Sequence, residues 1–149
     1  MKIITLWQPW ATFIALNFKQ FETRSWGTGY RGKLAIHAAK RHIDPDGKYA
    51  ASQVYELTNG KLALKRRDYP LGCIVAIADL VDCLQMDSSL ISRQTELELA
   101  VGNWQPGRFA WQLENIVALS VPIPYRGSQG LRDVRPDVLK ILMELTNGE

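Results

Sequence analysis

The sequence predicts an α+β fold: a mixed β-barrel with helices at its periphery. Three observations predict it. Segments with strand periodicity fill the middle of the chain, at 33–39, 73–84 and 109–119. Helix starts marked by proline, at Pro9, Pro45 and Pro136, lie between and around them. The 149 residues, 46% of them hydrophobic, fit one domain, residues 1–149, with enough core to fold unaided.

Ile3 to Leu6 is a short apolar run, read as the first strand. Pro9 needs no N–H in a first helical turn, so a helix follows over Ala11–Leu16. Asn17 tolerates the left-handed conformation that ends helices. The period then switches to two. Gln20, Glu22, Arg24 and Trp26 share one strand face, with Lys19 at its entry, and Phe21, Thr23 and Ser25 share the other. After the break at Gly27-Thr28-Gly29, Leu34, Ile36 and Ala38 alternate with Lys33, Ala35 and His37, which puts His37 opposite the core-facing residues. Asp44 caps a helix that begins at Pro45 and stops at Asn59-Gly60.

A basic run, Lys61 to Arg67, precedes the most apolar segment, Cys73 to Leu84. That segment reads as a strand buried on both faces, with Asp79 and Asp82 as its polar exceptions. Thr95 to Val101 reads as a short helix or ordered loop, and the stretch from Gly102 to Gly107 as a turn-rich loop carrying Trp104. Phe109 to Leu119 resumes a strand beside the Cys73 segment, with Ile74, Ala76, Phe109 and Trp111 buried. Val121 to Tyr125 is held extended by its prolines, and a last helix covers about 136–146.

The net charge of +3 permits an anionic ligand without demanding one. Cys73 and Cys83 lie in the buried strand, so they read as reduced structural thiols, and no His/Cys spacing suits zinc. No metal and no cofactor is expected. The N-terminus MKIITLWQPW lacks the apolar region of a signal peptide, and no apolar run reaches spanning length. A cytoplasmic protein without membrane association is the expectation.

Lys19, Glu22 and Arg24 place an ammonium, a carboxylate and a planar guanidinium together, with Trp7 and Trp26 flanking them. From spacing alone they also fit a surface ion-pair cluster, which contributes roughly 0 to 1 kcal/mol. As a site, Arg24 would grip a phosphate or carboxylate, Lys19 would supply a charge that desolvation can neutralise, and Glu22 would accept from a base edge or act as a base. Trp104, in a Gly/Pro loop, reads as a stacking surface, Trp111 as core, and the Lys61 run as a phosphate-tracking edge or a solvated loop.

Trp7-Gln8-Pro9-Trp10-Ala11, Lys19-x-x-Glu22-x-Arg24 and Tyr30-Arg31-Gly32-x-Leu34-x-Ile36-His37-Ala38 together resemble the ASCH domain, as do Gly72-x-Ile74-Val75-Ala76 and Phe109-Ala110-Trp111. The resemblance covers about residues 1–125, and the stretch from Pro124 to Gly130 looks like a tail found on some of these proteins. It implies a PUA-like barrel and a charged cleft for nucleic acid, with RNA the expected partner, or for a nucleotide or modified base. The implied ligand-binding residues are Arg24, Trp7, Gln8, Trp26, Tyr30, Arg31, Trp104 and Arg108. The alternative it implies is a hydrolase of a modified nucleoside or of RNA, with Lys19 and Glu22 as acid–base pair. One amidohydrolase branch uses a Lys with a Thr three residues later; here that position is Glu22, and Thr23 faces the other way.

Overall fold

The structure is a computed structural model and describes residues 1–61, 65 and 68–147. Six strands form one mixed sheet in the order β2-β5-β4-β3-β1-β6. The strands are β1 Lys2–Leu6, β2 Phe21–Arg24, β3 Gly32–Ala38, β4 Cys73–Gln85, β5 Phe109–Pro124 and β6 Arg132–Asp133. The helices are α1 Trp10–Ala15, α2 Pro45–Leu57, α3 Ser88–Ser92, α4 Glu96–Ala100 and α5 Pro136–Asn147. No helix among the described residues is long and apolar enough to cross a membrane.

Parallel pairing of β1 with β3 and antiparallel pairing elsewhere make the sheet mixed. Its backbone ladder is open between β2 and β6. The sheet nevertheless curls back on itself. Arg24 on β2 donates from Nη2 to the Thr5 carbonyl on β1 at 2.9 Å, although the two strands lie near opposite ends of the strand order. Register shifts between β4 and β5, at Ile74/Ala76, Ile77/Asp79 and Leu80/Asp82, supply the bending such a curl needs.

The long hairpin of β4 and β5 carries the core. Ile74, Ala76 and Trp111 are fully buried. Phe109, expected inside, is only partly so, because it sits where β5 meets the Gly27 backbone rather than mid-barrel. The expected strand ending at Leu119 continues to Pro124. β2 pairs only with Phe109–Gln112, so the outer edge of the rest of β5 lacks a β2 partner and the prolines there break no ladder. β2 ends at Arg24, two residues before the expected Trp26.

Both faces of β3 are covered. Leu34, Ile36 and Ala38 join the main core, while Ala35 packs with Val138 and Leu142 of α5. His37, on the Ala35 side, is therefore buried as well. Cys73 is buried and Cys83 partly so, and both are free thiols. Of the basic run at 61–67, Arg66 and Arg67 lie outside the described residues, together with 62–64, so its reading as a phosphate-tracking edge does too.

Candidate functional site

The approach to the site begins at α1. Gln8 is buried; its Oε1 accepts from the Thr12 N–H at 3.0 Å and its Nε2 donates to the Pro70 carbonyl at 2.9 Å. It thus caps α1 and anchors the chain before Leu71. Asn17 adopts φ +64°, and the Phe18 and Lys19 amides both turn back to the Phe13 carbonyl, at 2.9 and 3.1 Å. That turn delivers Lys19 into the interior at the start of β2.

Lys19 is almost completely buried. Its Nζ donates to the Val101 carbonyl at 2.8 Å and lies 3.6 Å from Glu22 Oε1. Burial pulls its ammonium below the ordinary lysine range, while Glu22 and Glu98 pull it back. Glu98 is buried too; burial raises its carboxyl, against the pull of Lys19 and of the Gln20 and Phe21 amides that it accepts. Glu22 accepts from the Thr23 amide at 3.0 Å and from Arg24 Nε at 3.1 Å, with Arg24 Nη2 3.0 Å from the same oxygen. The guanidinium fork of Arg24 is thus largely committed to Glu22 and Thr5. The cluster forms a desolvated, internally paired floor.

Two adjoining cavities open above this floor. The smaller, about 700 Å³, is bounded by Lys19, Glu22, Arg24 and Arg108. The larger, about 1180 Å³, shares Thr5, Trp7, Arg24 and Trp26 with it and reaches Lys40, Arg126 and Arg132. Arg24, bridging to Thr5, stands where the two meet. Trp7 is 52% exposed and Trp26 36% exposed. Trp26 meets the buried Trp111 edge-on at 4.9 Å, and its carbonyl accepts from Trp111 Nε1 at 3.2 Å.

The far wall of the larger cleft is a strap, residues 125–130. His37 Nε2 lies 2.7 Å from the Tyr125 carbonyl and therefore donates to it. In the neutral ring Nδ1 then accepts from the Thr5 hydroxyl, 3.1 Å away. Burial holds the imidazole below its ordinary value, partly offset by the Tyr125 bond. Gly127 presses directly on this pair. A Cβ there would stand 2.6 Å from His37 Cε1 and 2.9 Å from Thr5 Oγ1, so only glycine fits.

The structure thus brings Lys19, Glu22, Arg24, Trp7, Trp26 and Arg108 to one cleft. Gln8 is spent inside the fold. Tyr30 donates to the Lys33 carbonyl at 2.6 Å and Arg31 lies 3.4 Å from Asp82, and neither lines these cavities. Trp104 packs edge-on to Phe21 at 5.4 Å and donates to the Glu98 carbonyl at 3.0 Å, so its ring serves a local core. Lys40, Arg126, Arg132 and His37 were outside the sequence-derived site. The Pro124–Gly130 motif was visible as a tail, but nothing local showed that it folds over His37. No cluster of three or more metal-ligating side chains occurs among the described residues.

Residues 4–123 match the family model of the ASCH domain. The chain belongs to the ASCH domain family. It is 37% identical over 81 residues to activating signal cointegrator 1 of Mus musculus, and equally so to that of Homo sapiens. The matched part is 54% of this chain and 14% of either relative, so the chain corresponds to a small fraction of those proteins. Among solved structures, ASCH from Zymomonas mobilis superposes with a TM-score of 0.59 at 18% identity, over 97% of this chain and 94% of that one. A tyrosine-to-phenylalanine mutant of the same protein gives 0.59 at 17%, over 97% and 96%. At such identity the likeness speaks to the fold. ASCH domains have a PUA-like fold, generally linked to RNA binding.

Proposed function

We propose that this ASCH domain binds single-stranded nucleic acid, RNA first, in the cleft between β2 and the strap. One observation carries the reading. The larger cleft is lined by Lys40, Arg126 and Arg132, none of them ion-paired among the described residues, and by the two tryptophans Trp7 and Trp26, with no carboxylate among its described lining. Cations without counter-charges suit phosphates, and half-exposed indoles suit base faces. The groove is open and continues into the neighbouring cavity, as a polymer requires. Inside the smaller cavity, Thr23, Ser25 and Asn103 offer hydrogen-bonding groups to a base edge.

Binding of labelled single-stranded oligoribonucleotides, titrated at rising salt, tests this. Log affinity is expected to fall linearly with log salt, by about 0.7 per phosphate contact. Absence of binding at low salt, or an affinity indifferent to salt, overturns the reading.

A second reading, hydrolysis of a modified nucleoside or of RNA, draws support from one contact. Lys19, its ammonium destabilised by burial, lies 3.6 Å from Glu22 on the border of a 700 Å³ cavity. Product formation from acetylated cytidine or from the bound strand, lost in Lys19→Met, would make this the activity; intact substrates after prolonged incubation would discard it.

A further inference from the structure

Two aromatic rings lining the main cleft each carry an arginine on one face. Arg41 Cζ lies 3.6 Å from the centroid of Trp7, and Arg135 Cζ lies 4.5 Å from that of Tyr125. The two constructions repeat one another. Arg41 Nη2 is 3.3 Å from Asp44, the N-cap of α2, and Arg135 Nε is 3.3 Å from Asp137, in the first turn of α5. Both arginine side chains stay well exposed, at 44% and 51%. The Tyr125 ring is fixed further: its hydroxyl accepts from the Arg135 amide at 3.1 Å, and His37 meets its ring at 5.9 Å.

The two stacks stand at different boundaries of the groove. Trp7 borders both the main cleft and the 700 Å³ cavity. Tyr125 borders the main cleft and a third cavity of about 420 Å³, which Arg135 also lines. The main cleft, with Lys40, Arg126 and Arg132, joins them.

A phosphate needs only charge, which a lysine supplies. A guanidinium held over a ring offers something else: a planar group of its own, on which a base can stack. Its carboxylate partner already orders the side chain, so less freedom is lost when a base arrives. Two planar platforms with cations between them match a strand whose bases rest at the ends and whose phosphates cross the middle.

We propose that the groove has two base-stacking stations, Trp7–Arg41 and Tyr125–Arg135, so that its ligand is an oligonucleotide spanning both, not a free nucleoside or mononucleotide. This rests on the reading of the cleft as a nucleic-acid site. The Tyr125–Arg135 station includes none of the ligand-binding residues read from the sequence.

The test is an affinity series for single-stranded oligouridylates from mononucleotide to octamer, on wild type, Arg41→Ala, Arg135→Ala and Arg135→Lys, with melting temperatures for each. Wild-type affinity is expected to rise with length and level off once both stations are reached. Arg135→Ala is expected to weaken the octamer about tenfold, the scale of one lost stacking contact, and to abolish most of the gain in affinity with length. Arg135→Lys keeps the charge but not the plane, and is expected to match the alanine variant. Arg41→Ala is expected to weaken short and long strands alike. Wild-type affinity in Arg135→Lys reduces the station to a charge and overturns the proposal. So does strand binding by wild type with no dependence on length, which leaves the nucleic-acid reading standing. Failure of wild type to bind any strand overturns both.

Discussion

The β2 bank of the cleft and the strap bank both bring cations to it, but they dispose of them differently. On the β2 side, Lys19, Glu22 and Arg24 are partly or wholly desolvated, and their hydrogen-bonding capacity is largely used among themselves, Val101 and Thr5. On the other bank, Lys40, Arg126 and Arg132 have no ion-pair partner among the described residues and face the open cleft. The first arrangement suits holding a barrel seam closed. The second suits meeting a polyanion. The family's most legible motif is therefore largely the floor of the site, and its less legible tail supplies ligand-facing charge.

Removing one charge from each bank gives the largest expected contrast. Lys19→Met keeps most of the side-chain volume but breaks the buried Lys19–Glu22 pair, removes the Lys19 charge from Glu98 and leaves the Val101 carbonyl without its donor, with only Arg24 still facing Glu22. Breaking a buried pair in this way costs about 3 kcal/mol or more. Lys40→Met is expected to stay within about 0.5 kcal/mol of wild type, as surface changes usually do. Urea midpoints at neutral pH measure both. Equal small shifts would mean that the β2 cluster is no more structural than the strap, and the comparison would fail.

Much of the β2 bank was legible because strand and cap rules are local. The two-residue period put Glu22 and Arg24 on one side, where Arg24 Nε reaches Glu22 at 3.1 Å, and Asn17 has the positive φ its turn required. What sequence could not show was long-range. Lys19 is buried because Val101, far along the chain, receives its ammonium. Trp104 stands in a Gly/Pro loop, as expected, yet Phe21 and Glu98 claim its ring and its N–H. His37 is buried because the strap arrives from beyond β5, and the glycine that permits this, Gly127, looks locally like any other loop glycine.

The strap bank depends on a titratable group, which gives a prediction of intermediate size. His37 is held below its ordinary value of 6.5 by burial, so the fold prefers it neutral. A depressed folded value means stability that is present above 6.5 and lost as the pH falls through the lower folded value. Glu98 works in the opposite sense: its raised carboxyl yields a gain as pH falls toward 4.5. Comparing wild type with His37→Gln isolates the first contribution. Wild type is expected to lose more stability than the variant as the pH falls from about 7 to about 5. Parallel pH profiles would show that the Thr5–His37–Tyr125 chain tolerates the charge, and that the strap is anchored by Gly127 packing alone.

The smallest expected effect separates the banks most cleanly, because it is read as a slope. The Lys40 stem lies along Gly72, with its Cβ 3.6 Å from where a side chain there would begin, and its side chain is exposed at the edge of the main cleft. If Lys40 neutralises one phosphate, Lys40→Gln removes one released counterion. The plot of log affinity against log salt should then flatten by about 0.7 for a single strand. The variant's stability should stay within about 0.5 kcal/mol of wild type. Arg24→Gln is the matched change on the other bank. Its fork is engaged with Glu22 and Thr5, so its loss should lower the urea midpoint and leave the salt slope close to that of wild type. The two variants therefore exchange signatures: one moves the slope and not the stability, the other the stability and not the slope. A full flattening in Arg24→Gln with an unchanged midpoint would return Arg24 to the phosphate, and would make the buried motif, rather than the strap, the ligand-facing bank.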